Sequence, residues 1–87
     1  MILLFHKTFY KSYHALRKGE QERVDERLER FVENPFDPTL NNHPLKAKYS
    51  GHWSINIGGD LRAIYRMISP GQALFIIVGT HTDLYKK

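Results

Sequence analysis

The chain has 87 residues, no cysteine and a net charge of +4 with histidine neutral. That length predicts one domain over residues 1–87, since domains typically run to about 100–150 residues, and the lack of cysteine excludes disulfide staples and thiolate metal sites. The charge is one-sided. Residues 1–42 carry seven basic and seven acidic side chains, whereas residues 43–87 carry Lys46, Lys48, Arg62, Arg66, Lys86 and Lys87 against Asp60 and Asp83. Such a basic half suits a polyanionic partner, nucleic acid or an acidic protein, or simply a well-solvated surface.

The apolar start, residues 1–5, is shorter than the roughly 7–15 residues of a secretory signal core. No run approaches the about 20 residues of a membrane span. A cytoplasmic protein without a membrane partner is therefore expected. Residues 2–6 read as a short strand. From Thr8 the period changes: Phe9, Tyr13 and Leu16 share one helical face, and Arg17-Lys18-Gly19 is the basic, glycine-closed ending that a helix prefers. A second helix is predicted over residues 20–33, with Val24, Leu28, Phe31 and Val32 as its apolar stripe and Glu26 and Arg30 paired four apart. Asn34-Pro35 stops it. Residues 34–42, rich in proline and asparagine, form a loop that delivers the chain to His43-Pro44-Leu45.

The rest reads as strands. Residues 52–57 and 61–68 alternate, Gly58-Gly59 and Ser69-Pro70-Gly71-Gln72 mark turns, and residues 73–78 are apolar on both faces, as a doubly covered central strand would be. The expected fold is α+β: a two-layer β-α-α-β-β-β domain in which an antiparallel meander receives the N-terminal strand and carries a helical hairpin on one face. A three-residue loop, Gly58-Gly59-Asp60, pairs Ile57 with Leu61, Ile55 with Ala63 and Trp53 with Tyr65, keeping the apolar faces matched. Ser54, Asn56, Arg62 and Ile64 then face the other way, on a polar, basic face predicted to be open. Trp53 and Tyr65 fall on the core side, and Tyr49 has no assigned side.

RNA can be cut by two proton-transfer groups and a cation, the 2′-OH attacking the adjacent phosphate. Histidine suits proton transfer, with an unperturbed pKa of about 6.5, and arginine suits a phosphate because it stays charged and forks onto it. His81 follows Gly79-Thr80 at the end of a predicted strand, where a rigid element presents it, with Tyr85 close if the tail turns helically. The same position suits an ordinary surface histidine. His43, fixed by Pro44, is a second candidate or a loop histidine bonded to a carbonyl. Arg62 is a candidate cation that Asp60 could orient, and Lys46 and Lys48 are candidate phosphate contacts or solvated charges. The five histidines lack metal-ligand spacing and no phosphate-cradling glycine loop is present, so neither metal nor cofactor is expected.

These segments resemble a known family. His43-Pro44-Leu45, Trp53-Ser54-Ile55-Asn56, the run from Gly59 through Asp60, Arg62 and Tyr65 to Arg66, and the run Gly79-Thr80-His81-Thr82-Asp83-Leu84-Tyr85 are similar to the YafQ branch of the RelE/ParE toxin superfamily, whose element order is also β-α-α-β-β-β. The resemblance implies the toxin of a type II toxin–antitoxin system: a ribosome-dependent mRNA endonuclease that enters the A site, partnered by a cognate antitoxin with an acidic, disordered segment. Its site residues would be His81 as principal acid/base, with His43, Asp60, Arg62 and Tyr85, and with Lys46, Lys48 and Arg66 against RNA. The chain departs from that pattern at Asn56, where YafQ-like toxins commonly have histidine, at Ser54 and Asn56 together, around which RelE-like toxins have lysines, and over Ile77 to His81, where RelE-like toxins carry an arginine. The ParE branch, which poisons gyrase on the same fold, and a decayed relative that only binds its antitoxin are the alternatives. His43 together with His81 argues against the gyrase reading.

Overall fold

A computed structural model describes residues 1–85; Lys86 and Lys87, two of the basic residues counted above, lie outside the described residues. Strand β1 (Ile2–Phe5) leads into helices α1 (Lys7–His14) and α2 (Lys18–Glu33). A 3-10 turn (Pro38–Leu40), the two-residue strand β2 (His43–Pro44) and a second 3-10 turn (Ala47–Tyr49) follow. Strands β3 (Trp53–Gly58), β4 (Leu61–Ser69) and β5 (Gln72–Thr80) form the meander, and a single turn, α3 (His81–Leu84), comes after them. The sheet order is β1-β5-β4-β3-β2, with β1 parallel to β5 and the other pairs antiparallel. This is the expected α+β architecture, with β2 as an added edge strand. Among the described residues no helix is long and apolar enough to cross a membrane.

Helix α1 packs on β5 and α2 on β3. Their Phe9, Val24 and Phe31 close over Ile55, Ile57, Ala63, Tyr65 and Phe75. Aromatic edges fill this layer: Phe31 meets Tyr65 at 4.9 Å and Phe75 at 5.3 Å between ring centroids, spacings at which such pairs attract. The break between the helices falls at residues 15–17, not at Gly19. Glu20 Oε1 accepts the N–H of Arg17 at 2.9 Å and Gln21 Nε2 donates to the carbonyl of Tyr13 at 3.0 Å. A glutamate reaching back three residues defines a helix start, so Gly19 is drawn into the first turn of α2. The Glu26–Arg30 pair forms as expected, and Arg27 joins it on the same carboxylate.

The loop of residues 34–42 is tied down by its own polar side chains. Tyr65 Oη donates to Asn42 Oδ1 at 2.8 Å, and Asn42 Nδ2 donates to the carbonyl of Pro35 at 2.9 Å. With Leu40 fully buried beneath, the loop hands His43 to the sheet edge at a fixed position.

Two register details differ from expectation. Trp53 pairs with Tyr65 and Ile55 with Ala63 as predicted, but Leu61 pairs with Gly58. Ile57 is an extra residue on β3, and the loop is the two residues Gly59-Asp60, with Gly59 at φ +54. A bulge absorbs one residue, so the tighter turn closes while Ile57 stays in the core. Residues 73–78 are not doubly covered either. The sheet centre is β4, and β5 carries its own irregularity between Phe75 and Ile77. Ala73 and Phe75 point to the core before that bulge and Val78 after it, while Leu74, Ile76 and Ile77 are half-buried. The re-phasing turns Ile77 and Gly79 onto the face away from the helices.

Candidate active site

Cross-strand pairing sets out that second face in two rows. His43, Ser54, Ile64 and Ile77 stand opposite one another across β2, β3, β4 and β5, and Asn56, Arg62 and Gly79 form the next row. Directly opposed residues of antiparallel strands share a face, and rows two residues apart are separated by about 7 Å. The face is not open at its centre as predicted: Ser54 is 1% and Ile64 0% exposed. Ile64 and Leu84 are buried outside the main core cluster. Leu84 lies against Gly79, where a Cβ would stand 3.4 Å from Leu84 Cδ2. The turn that carries Leu84 thus folds back beside Gly79 against the end of β5.

That turn carries His81 and Tyr85. Thr80 caps it, its hydroxyl accepting the N–H of Asp83 at 3.1 Å, the usual role of threonine before a helix. The backbone N–H of His81 donates to the carbonyl of Asp60 at 2.9 Å. The β3–β4 loop and the end of β5 are thus joined at the two candidate residues. The Tyr85 ring lies 4.6 Å from the His81 imidazole, the proximity expected of a helical tail. His81 and Asp60 are both exposed.

Arg62 is half-buried and does not pair with Asp60. Its Nη1 donates to the carbonyls of Gly59 and Leu61, both at 3.0 Å. The guanidinium is anchored on the hairpin loop by one nitrogen, and its remaining N–H groups are not engaged by any described residue. His43 Nδ1 lies 2.7 Å from the carbonyl of Asn41. A carbonyl only accepts, so Nδ1 carries the proton and Nε2 is the ring's acceptor in the neutral form. That is the carbonyl-bonded arrangement weighed above, and it leaves a ring nitrogen able to take a proton. Asp60, Arg62 and His81 come together at one end of β4 and β5. His43 shares their face from two strands away, at the β2 edge. Lys46 and Lys48 are exposed on the loop between β2 and β3, and Arg66 is exposed four residues beyond Arg62 on β4, about 13 Å along the strand.

Two features were not reached by sequence reasoning. Tyr49 Oη donates to the carbonyl of Leu84 at 3.0 Å, and its ring meets Tyr85 edge-on at 5.7 Å. Nothing in local spacing signals a contact across that distance in the chain. Ser54 Oγ and Asn56 Oδ1 are buried without a hydrogen-bond partner. These are two of the positions at which the resemblance above implied basic residues, and a charge at Ser54 would be buried unpaired, at a cost far above that of a hydroxyl. The other three histidines have local duties: His6 Nδ1 accepts the N–H of Thr8 at 3.1 Å and caps α1, His14 meets the Tyr13 ring edge-on at 5.5 Å, and His52 Nδ1 lies 3.3 Å from the carbonyl of Ser50.

A helical hairpin on one face of a small mixed sheet is a fold found among solved toxin structures. The structure is similar to the YoeB/ParE toxin from Agrobacterium tumefaciens, with a TM-score of 0.76 at 22% identity over 93% of this chain and 99% of that one. It is similar to YafQ from E. coli strain BL21(DE3), with a TM-score of 0.80 at 18% identity over 95% and 96% of the two chains. It also matches a chain of the E. coli DinJ–YafQ toxin–antitoxin complex, with a TM-score of 0.76 at 17% identity over 95% and 94%. No sequence match was found among curated proteins. The family model for the bacterial toxin of type II toxin–antitoxin systems, YafQ, matches residues 2–86. The chain belongs to the YafQ family of type II toxins.

Proposed function

We propose that this toxin is an endoribonuclease that cuts mRNA on the ribosome by acid/base chemistry. The observation that carries the reading is the junction at the end of β5. His81 is bonded through its backbone to Asp60 and lies against Tyr85, beside an anchored arginine with donors to spare. The residues present match the parts such a reaction needs. A base removes the 2′-OH proton, and the 2′ oxygen forms a bond to phosphorus as the bond to the 5′ oxygen breaks. An acid returns a proton to that 5′ oxygen. His81 is the principal acid/base, with His43 Nε2 and Asp60 as the other titratable groups. Arg62 steadies the charge on the phosphoryl oxygens, as a preorganised donor does. Tyr85 supports His81, and Lys46, Lys48 and Arg66 take the RNA backbone. The chain acts as one domain in the cytoplasm, and its partner is a cognate antitoxin, as the E. coli DinJ–YafQ complex suggests by likeness.

The test is to induce the protein and its His81→Ala variant in a bacterial host and map transcript 5′ ends. Cuts within translated codons, absent in the folded variant, are expected. Growth arrest without cuts would replace this reading with a gyrase-type one, and no arrest with intact antitoxin binding would mark a decayed toxin.

A further inference from the structure

Helix α3 is a single turn, and a single turn does not hold itself. Nucleating a helix fixes several residues for one hydrogen bond, and its last carbonyls have no partner within the helix. Its position therefore depends on what grips it from outside. Three of its attachments come from the segments that flank it or pair with it: the Thr80 cap, the backbone bond from His81 to Asp60, and Leu84 resting on Gly79. The fourth is Tyr49, whose hydroxyl donates to the Leu84 carbonyl at 3.0 Å across 35 residues of chain. That carbonyl is one of the orphan acceptors at the helix end, so Tyr49 caps α3 from a separate loop.

The ring of Tyr49 acts along a second line. Its edge meets the Tyr85 ring at 5.7 Å and 89°, and Tyr85 in turn lies 4.6 Å from the imidazole of His81. His52 closes another side of the Tyr49 ring at 6.1 Å. With neighbours on two sides and its hydroxyl committed, Tyr49 is placed to support the site more than to stack on a base. The loop that bears it pays for its shape in backbone strain. Ala47, two residues earlier, sits at φ +54, a left-handed conformation that disfavours any residue with a Cβ and persists where the surroundings over-determine it.

We infer that Tyr49 is a positioning residue: by capping α3 and bracing Tyr85 it holds the His81 imidazole in one orientation at the end of β5. The inference rests on the reading of His81 as the acid/base, and its test has a readout that does not need activity. Tyr49→Phe keeps the ring and removes only the hydroxyl. In the wild-type protein the ring protons of His81 are expected upfield of free-histidine values, displaced by the Tyr85 ring. In Tyr49→Phe that displacement shrinks, while the amide spectrum of β3, β4 and β5 is retained. On programmed ribosomes kcat falls about tenfold, the loss of one net hydrogen bond, with KM unchanged. An undiminished His81 displacement in Tyr49→Phe overturns the inference whatever the activity. A lost displacement with undiminished cleavage would leave Tyr49 orienting His81 and overturn instead the reading of His81 as the acid/base. Wild-type protein that does not cleave would defeat the nuclease reading, while the spectrum alone would still decide whether Tyr49 orients His81.

Discussion

At Arg62 one nitrogen spends itself on the protein and the others remain for a ligand. The two carbonyls that hold Nη1 belong to the hairpin loop and to the first residue of β4, so the guanidinium is placed before any phosphate arrives. Lysine cannot reproduce this, because its ammonium is a single point on a flexible stem and cannot fork. Arg62→Lys keeps the charge and is expected to lower codon cleavage by about a hundredfold or more, the range for removing one preorganised donor, with folding unchanged by circular dichroism. Cleavage at the wild-type rate would show that charge alone suffices. Asp60 and His81 were each singled out in short motifs at predicted strand ends, but the bond between them was not legible, since Asp60 was expected to orient Arg62. Arg62 was placed on its face by alternation alone. Tyr49 was not legible, since its partners lie far along the chain and no local period marks them. Nor was the burial of Ser54 predictable: alternation assigns it to the second face, and only the folded chain shows that this face is covered there.

At the scale of elements, the alternation of apolar residues located every strand of the meander, but it could not place the bulges at Ile57 and Ile76. A bulge changes parity without changing composition, so the pattern reads as a longer loop in one case and as a two-faced apolar strand in the other. The helix break escaped for a related reason. Gly19 is a strong local stop, but the carboxylate of Glu20 reaching back to Arg17 outweighed it. Helix α2 also carries a measurable electrostatic element. The Arg27 and Arg30 guanidinium groups beside Glu26 hold its carboxyl below its ordinary value of 4.5, with the Arg27 hydrogen bond the larger cause. The Thr39 hydroxyl and N–H do the same for Asp37. A carboxyl whose pKa is lower in the folded chain stabilises the fold while ionised. That contribution is present above the unfolded pKa and is lost as pH falls through the folded one. Urea midpoints should therefore hold down to about pH 5 and decline below it, and Glu26→Gln should flatten part of that decline. Both carboxyls are exposed, so the slope will be shallow. An identical slope in the variant would assign the acid sensitivity elsewhere.

For the molecule as a whole, the division of charge along the chain follows the division of labour between its two halves. The charge-balanced first half supplies β1, α1 and α2, and its two helices cover one side of the sheet. The basic second half supplies β3, β4, β5 and the candidate site, so a polyanion has one face to prefer. If RNA lies along Lys46, Lys48, Arg62 and Arg66, binding releases counterions from the phosphates these residues touch. The logarithm of the affinity then falls against the logarithm of salt by about 0.7 for each phosphate on a single strand. Three or four contacts predict a slope of about −2 to −3. The measurement is fluorescence anisotropy of a short single-stranded RNA with the His81→Ala protein, which keeps the ligand intact, titrated over a series of salt concentrations. Lys46→Ala or Lys48→Ala in that background should weaken binding and reduce the slope by about 0.7 each. Lys11→Ala, on α1 across the sheet, should change neither. The control is what gives the experiment its force, since any basic protein binds RNA at low salt. Only a face-specific loss of slope ties the charge asymmetry to the surface that holds His81. Equal losses at Lys11 and Lys46 would mean that the net charge attracts RNA without orienting it, and the task of presenting the phosphate would then fall to Arg62 and the ribosome.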